Sequence, residues 1–282
     1  RTGVDAIIAC DQAVIAMAYD LGLRIHLSTQ LSISNTEALK FYSHWADVAV
    51  LARELTLDQV RKITDDIREQ HICGPSGEPM AIEIFGHGAL CMAVSGKCYL
   101  SLHEAQRSAN RGACVQICRR SYELRDKESD NAIEVDNEYL MSPKDLKTIH
   151  FLNKLVDAGV QILKIEGRAR SPEYVRTVVQ CYREASEALV TGTWSDARIA
   201  EWDTRLASVF NRGFWNGYYL GQRLGEWSSH YGSSATEKKV QIGEVRNFYD
   251  RISVAEVHVR SESIAVGDNL FVIGETTGVV DV

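Results

Sequence analysis

The sequence predicts an α/β protein: a partial eight-stranded (β/α) barrel of the TIM type, followed by a small all-β, barrel-like domain. Short apolar runs alternate with amphipathic segments through the first two thirds of the chain. Each strand–helix pair takes about 20–30 residues, a spacing typical of parallel strands joined by helices. The last part of the chain instead carries apolar residues at strand spacing, separated by turn signals. With 45% hydrophobic and 24% charged residues among 282, the composition is that of a globular protein.

Five strands of the barrel are predicted near residues 7, 25, 49, 83 and 163. Helices are predicted between the first four strands, over 11–21, 35–42 and 56–70. Asn35 caps the second of these helices and Thr56 opens the third. A complete barrel would need about three more strands. We expect these strands to precede Arg1, because the chain begins directly on a strand-like run and ends on another, and so reads as a fragment of a longer protein.

Two later helices are predicted from a serine followed by a proline. Ser142 and Pro143, with Asp145 in the first turn, predict a helix that reaches about residue 158. Ser171 and Pro172 predict a second helix that reaches about residue 189.

The chain divides into three predicted parts. Residues 1–191 form the partial barrel, with a cysteine-rich insertion over about 86–137. Residues 192–240 form a helical connector rich in aromatic residues, and residues 241–282 form the small β domain, which is cut short by the end of the chain.

Four of the seven cysteines lie close together in the insertion: Cys91, Cys98, Cys114 and Cys118. Six, fifteen and three residues separate them, in a polar stretch punctuated by glycine. Buried free thiols are the ordinary alternative, but this clustering favours a metal centre. Four thiolates on irregular loops suit an iron–sulfur cluster, which Lys97, Arg111 and Arg119 would partly neutralise. Structural zinc is the rival metal, although its sites usually combine two closely spaced cysteine pairs.

Several long motifs resemble peptidase family U-32, the collagenase-like protease family. The stretch 83–122 resembles the family signature, 141–146 and 164–175 resemble two downstream motifs, and 26–30 resembles an early barrel pattern. The resemblance is closest to the branch that hydroxylates tRNA uridine at carbon 5. It implies a 4Fe–4S cluster on Cys91, Cys98, Cys114 and Cys118, with Cys181 as a substitute fourth ligand. It also implies prephenate as the hydroxyl donor and an oxygen-independent reaction.

The function expected from this resemblance is iron–sulfur-dependent hydroxylation of RNA, with the tRNA wobble uridine as the first candidate. A family U-32 peptidase is the main alternative, but the sequence has neither a Gly-x-Ser-x-Gly elbow nor a His-Glu-x-x-His motif. A ubiquinone-precursor hydroxylase and a non-catalytic iron–sulfur partner subunit remain further alternatives.

Other candidate site residues follow strands, where a barrel carries its active site. His87, Glu166 and Arg168 are predicted to be catalytic, with Glu166 as acid or base. His26, Gln30, Arg111, Arg119 and Arg170 are predicted to bind substrate, since arginine suits carboxylate and phosphate. A core histidine at position 26 or 87, and a structural ion pair involving Glu166, are the plain alternatives.

The net charge of −7 excludes a protein covered in basic charge, but it leaves room for a local RNA-binding patch. Arginines cluster near the cysteines and after the second downstream motif, with Tyr122 and Tyr174 available for stacking: Arg111, Arg119, Arg120, Arg125, Arg168, Arg170, Arg176 and Arg183. A solvated helix face is the alternative. We expect a cytoplasmic protein without a membrane partner, and a homo- or hetero-oligomer with a related family member.

Overall fold

The computed structural model describes residues 3–123, 139, 141–275 and 278–282. Residues 124–138 of the predicted insertion, including Arg125, lie outside this range. The chain folds as a mixed α/β protein. Its strands and helices alternate along the first part of the chain: β1 (Ala6–Ala9), α1 (Gln12–Asp20), β2 (Arg24–Leu27), α2 (Thr36–Tyr42), β3 (Val48–Val50), α3 (Leu57–Glu69), β4 (Ala81–Gly88) and α4 (Leu100–Ala105).

The remaining elements continue the sheet and then leave it. They are β5 (Asp145–Lys147), α5 (Leu152–Asp157), β6 (Ile162–Ile165), α6 (Pro172–Thr191), α7 (Asp196–Ser208), β7 (Phe214–Trp215), β8 (Gly243–Tyr249), β9 (Val254–Val259), β10 (Phe271–Gly274) and β11 (Gly278–Asp281). Within the described residues, seven strands form the main sheet.

The parallel part of the sheet contains the five predicted strands in chain order. β1, β2, β3 and β4 are parallel neighbours, and β6 pairs in parallel with β4. All five strand predictions are therefore confirmed. Most residues of β3 and β4 are buried, as expected for strands covered on both faces.

Side-chain caps explain why the first helices begin where the sequence predicted. The Asp11 carboxylate accepts from the backbone N–H groups of the first turn of α1, and Asn35 caps α2 through Ala38 N. Thr56 and Gln59 form a reciprocal capping box at the start of α3. The helix predicted from Ser171 is also confirmed, with Pro172 in its first turn.

The helix predicted from Ser142 is wrong at its start. Pro143 makes an isolated β-bridge with Trp227, and Asp145 begins strand β5. Helical structure begins only at the 3-10 turn Ile149–Phe151 that precedes α5. The physical reason is that the Asp145 carboxylate is buried in an ion pair with Arg170, rather than exposed at a helix N-terminus.

The segment predicted as a connector packs into the main core. Trp202 and Leu206 of α7, Trp215 of β7, and Tyr219 are buried in the same hydrophobic cluster as the sheet. β7 also pairs in parallel with β5. The helical and aromatic character expected for residues 192–240 is therefore present, and it extends the core.

The last strands form two hairpins. β8 pairs with β9, and β10 pairs with β11, both antiparallel. The all-β character predicted for this segment is confirmed. Among the described helices, none combines the length and the apolar character needed to cross a bilayer.

Candidate functional site

The carboxyl ends of the parallel strands meet at one edge of the sheet, where polar and thiol side chains follow them. In chain order these are Cys10, Gln30, Arg53, Cys91 and Glu166. The Cys10 thiol donates to Gln30 Oε1 at 2.9 Å. A Cβ at Gly96 would lie 2.7 Å from Gln30 Cδ, so the loop between Cys91 and Cys98 packs directly on this edge. This placement agrees with the rule that (β/α) sheets carry their sites at the carboxyl ends.

The four clustered cysteines share one electrostatic neighbourhood. All are free thiols: Cys91 is exposed, and Cys98, Cys114 and Cys118 are partly buried. Burial raises the pKa of Cys118, the positive charge of Arg119 opposes that rise, and negative charge at the other three cysteines adds to it. Charges influence each other in this way only across short distances. The other three thiols therefore lie within electrostatic range of Cys118, while the role of the thiols as ligands stays a prediction.

Two hydrogen-bond donors lie beside one of these thiols. Cys114 Sγ accepts from the Gln116 backbone N–H at 3.4 Å and from Ser101 Oγ at 3.6 Å. Hydrogen bonds to sulfur of this kind stabilise and tune cluster thiolates. Over residues 3–123, 139, 141–275 and 278–282, no three His, Cys, Asp or Glu side chains are grouped as ligands of a single metal ion.

Arg119 joins the two segments that carry the first and last of these cysteines. Its guanidinium donates to Leu90 O at 2.5 Å and to Pro143 O at 3.1 Å, and the residue is buried. The arginine is therefore anchored to the backbone beside Cys91 and Cys118. Its predicted contact with substrate stays a prediction, and its observed contacts are structural.

Arg111 and Arg168 are exposed near the same loop. A Cβ at Gly112 would lie 3.9 Å from the Arg168 guanidinium, so Arg168 reaches the segment between Cys98 and Cys114. Both side chains are accessible to an anionic ligand.

Glu166 lies against the end of β4. A Cβ at Gly88, whose φ is +114°, would lie 2.5 Å from Glu166 O. Glu166 Oε1 accepts from the Arg168 backbone N–H at 2.9 Å, whereas Oε2 is buried without a hydrogen-bond partner in the described structure. Burial lowers the pKa of Arg53, and negative charge at Cys91 and Glu166 raises it. Glu166 is thus a carboxylate with one unpaired oxygen, within electrostatic range of Arg53.

Arg170 is tied into a buried ion pair. Its guanidinium donates to Asp145 Oδ2 at 2.9 Å and lies 4.1 Å from the centre of the Phe210 ring. Arg212 approaches the other Asp145 oxygen at 3.5 Å and donates to Gln116 Oε1 at 3.3 Å. The pair therefore connects the loop after β6 to β5 and to the cysteine loop, and the predicted role of Arg170 in substrate binding stays a prediction.

His87 is enclosed by aromatic rings. Its side chain packs against Tyr174, Tyr182 and Phe214, and Nδ1 lies 3.4 Å from the Tyr182 hydroxyl. Burial lowers its pKa to about 3, with further lowering by the positive charges of Lys147 and Arg170. The imidazole is therefore neutral at pH 7, which suits the core-histidine alternative; its catalytic role stays a prediction.

His26 belongs to a charged group on the strands that sequence analysis identified only in part. Glu83 Oε2 lies 2.9 Å from His26 Nδ1, and Glu83 Oε1 accepts from Lys164 Nζ at 2.7 Å. Glu83 is buried, and its two partners are about one fifth exposed. The sequence did hold a signal for this group, namely a glutamate inside the apolar run of β4. A buried carboxylate requires charged or hydrogen-bonding partners, so partners of Glu83 could have been sought on neighbouring strands.

Cys181 lies away from the sheet edge, inside α6. It is fully buried, and burial raises its pKa to about 11. The charged groups that also shift this pKa belong to α6 and α7: Arg205, Glu184, Glu201 and Asp203. This position favours Cys118 over Cys181 as the fourth thiol of the cluster proposed from the sequence.

A cleft of about 230 Å³ adjoins Cys91. Its lining includes Arg53, Glu54, Trp215, Tyr218 and Trp227. The aromatic residues of the connector are evident in the sequence, but their place beside Cys91 depends on the fold.

Comparison with known proteins gives one family and two kinds of named relatives. Residues 1–229 match Peptidase family U32. A protein named collagenase from Porphyromonas gingivalis is 59% identical over 280 residues, which are 99% of this chain and 68% of that protein.

Two relatives with lower identity are named for RNA modification. The tRNA hydroxylation protein P1 of Bacillus subtilis is 36% identical over 225 residues, 77% of this chain and 51% of that protein. The 23S rRNA 5-hydroxycytidine C2501 synthase of Escherichia coli is 34% identical over 286 residues, 97% of this chain and 40% of that protein. No solved structure shows a significant match.

Proposed function

The chain belongs to peptidase family U32, and from this membership we propose that it is an iron–sulfur-dependent enzyme that hydroxylates a pyrimidine base in RNA. The match confirms the family inferred from the motifs. The observation that supports the proposal is that Cys118 lies within electrostatic range of Cys91, Cys98 and Cys114, and that all four are free thiols in the segments that follow β4. The first substrate we propose is the tRNA wobble uridine, in keeping with the relative named for tRNA hydroxylation. We further propose that the sheet is part of a (β/α)8 barrel.

In this proposal, the thiolates of Cys91, Cys98, Cys114 and Cys118 hold a 4Fe–4S cluster, which when bound supplies electron transfer. The hydrogen bonds to Cys114 Sγ and the nearby cation Arg119 suit such a group, because both offset the negative charge of the thiolates.

The remaining residues bind substrate and handle protons. Glu166 Oε2, which is buried and unpaired, is the proposed acceptor of a proton from the substrate. Arg111 and Arg168 are exposed, and they suit the two carboxylates of prephenate, the hydroxyl donor implied by the motifs.

A peptidase is the second candidate, because the relative with 59% identity is named collagenase. A serine peptidase needs a hydroxyl activated by a histidine that a third group orients. Ser234 Oγ lies 2.7 Å from His230 Nε2, but both residues are exposed, and Nδ1 of this histidine meets only the Ser229 hydroxyl in the described structure. This arrangement lacks the orienting carboxylate, so the hydroxylase ranks first.

The test combines cofactor and product analysis. Protein purified without oxygen should contain iron and sulfide, and RNA from a strain lacking the gene should lack a hydroxylated pyrimidine nucleoside by mass spectrometry. The wild-type gene should restore that nucleoside, whereas Cys98→Ser should not. Cys73→Ser, which changes a cysteine outside the cluster of four, is the matched control. Protein without iron or sulfide that cleaves gelatin would reverse the ranking.

A further inference from the structure

The cleft beside Cys91 has one aromatic wall. Trp215 and Tyr218 meet edge to face, with ring centres 5.3 Å apart. Trp227 lies against the backbone of Gly225, since a Cβ at that glycine would be only 2.6 Å from the indole ring. Three ring systems that are fixed by such packing form a surface on which a planar ligand can stack.

The lining of the cleft also includes a fixed cation and a carboxylate. The Arg53 guanidinium lies 3.8 Å from the centre of the Phe85 ring and donates to Ala89 O at 3.3 Å. These contacts fix its orientation, yet Arg53 Nε is buried and has no hydrogen-bond partner in the described structure. Glu54 is exposed beside it and also lines the cleft.

A second unused donor lies on the aromatic wall. Trp215 is 5% exposed, and its Nε1 is likewise buried without a partner among the described residues. Buried donors without partners cost free energy. Arg53 and Trp215 both line the cleft, but Trp215 Nε1 is enclosed by protein, so the Arg53 guanidinium is the donor available to a ligand held there.

The volume separates the two kinds of substrate that the relatives suggest. Pockets for drug-sized ligands begin at about 300 Å³. A cleft of about 230 Å³ accommodates one ring system rather than several residues of a peptide. A proline-rich peptide would stack on the same rings, but proline has no N–H to donate to Glu54.

We propose that this cleft holds a single unpaired pyrimidine base turned out of an RNA strand. The base stacks on Trp227 and Tyr218, a carbonyl oxygen of the base accepts from the Arg53 guanidinium, and its N3–H donates to Glu54. Because Cys91 forms part of the wall, the bound base lies against the segment that carries the thiols. This inference rests on the proposed function and names the substrate position for it.

Equilibrium titration with a labelled single-stranded uridine heptamer tests the stacking surface without turnover. Trp227→Leu should weaken binding about 5- to 150-fold, the range expected for the loss of one base–aromatic stack. Trp227→Phe keeps a ring and should restore most of the affinity. Tyr231→Leu removes an exposed aromatic residue outside the cleft and should bind like wild type. Circular dichroism and thermal unfolding verify that each variant folds.

A second measurement covers the case in which the tryptophan variants do not fold. A heptamer with 3-methyluridine lacks the N3–H, so it should bind wild-type protein at least about 10-fold more weakly, the loss of one hydrogen bond to a charged group. Glu54→Ala should bind both heptamers alike. Equal affinities in wild type, or folded Trp227→Leu with unchanged affinity, would overturn the proposal.

The outcomes separate the cleft from the reaction. If folded Trp227→Leu keeps both hydroxylation and RNA binding, the proposal that the cleft binds the base is wrong, whereas the proposed function stands. RNA binding that depends on Trp227 in a protein without hydroxylase activity supports the cleft and refutes the proposed function. If Trp227→Leu loses affinity for a single-chain proline-rich peptide and not for RNA, the cleft is a peptide site and the proposal is wrong.

Discussion

Arg170 donates to the Asp145 carboxylate at 2.9 Å, and the two side chains are only 4% and 1% exposed. The pair joins the loop after β6, which carries Glu166, to the start of β5. Removing one member of a buried ion pair leaves the other charge uncompensated, which costs much more than the net contribution of the intact pair. Asp145 therefore anchors the loop that follows β6 through Arg170.

Asp145→Asn should lower the free energy of unfolding by about 3–5 kcal/mol, because two buried guanidinium groups, Arg170 and Arg212, lose their counter-charge. Urea denaturation at pH 7 measures this loss. The control is Glu244→Gln, whose pairs with Arg246 and Arg260 are exposed and should contribute less than about 1 kcal/mol. Equal losses of unfolding free energy in the two variants would mean that the buried ion pair contributes no more to stability than the exposed pairs do.

The buried His87 should make stability depend on pH. Its pKa is about 3 in the folded protein, against an ordinary 6.5, so below pH 6.5 the unfolded chain binds a proton that the folded chain does not. Stability from this group is complete above pH 6.5 and is lost as the pH falls toward 3. Between pH 7 and pH 5 the loss should be about 2 kcal/mol.

His87→Gln should remove that part of the pH dependence in urea titrations at pH 7 and pH 5. His103→Gln changes an exposed histidine and should keep the wild-type dependence. If His87→Gln shows the same loss as wild type between the two pH values, the imidazole is not held neutral.

Gly88→Ala should destabilise the protein more than an alanine at another glycine with positive φ. Gly88 has φ +114°, and its added Cβ would lie 2.5 Å from the Glu166 carbonyl oxygen, whereas Gly22 has φ +66° and open space around it. The conformational cost is about 1–2 kcal/mol at a left-handed position, and overpacking adds about 1–3 kcal/mol at Gly88 alone. Thermal unfolding of both variants measures the difference. If Gly22→Ala were the less stable variant, the close approach of Gly88 to the Glu166 carbonyl would be contradicted.

The fourth thiol can be assigned by comparing two cysteines. Cys118→Ala should lose most of the iron and sulfide bound after anaerobic reconstitution, because a cubane cluster needs four ligands. Cys181→Ala should retain them, since Cys181 is buried between charged residues of α6 and α7. Iron retained by Cys118→Ala and lost by Cys181→Ala would move the fourth ligand to the helix.

The local part of the fold follows from local sequence patterns. Apolar runs gave the five parallel strands, and capping residues such as Asn35 and Thr56 gave the helix starts. The failure at Ser142 has a different origin. Ser142, Pro143 and Asp145 match a helix start, but Asp145 is buried in an ion pair with Arg170, 25 residues away. Local helix propensity does not include contacts between residues so far apart in the sequence.

The candidate site shows the same division. Four cysteines in one stretch predict their own proximity, because the chain between them is short. Glu83 is paired with His26 and Lys164 across 57 and 81 residues, and the cleft brings Arg53 to Trp215 and Trp227. These contacts arise from strand order and packing. The sequence therefore indicates His26 as a candidate residue, but it does not indicate that Glu83 is its partner.

The Arg119 guanidinium has a consequence for how the cysteine-bearing segments are held. It donates to the Leu90 and Pro143 carbonyls, and it therefore joins the backbone before Cys91 and the turn that contains Cys118 to a third segment. Shortening this one side chain would release all three segments together, and the thiols on two of them would lose their common anchor.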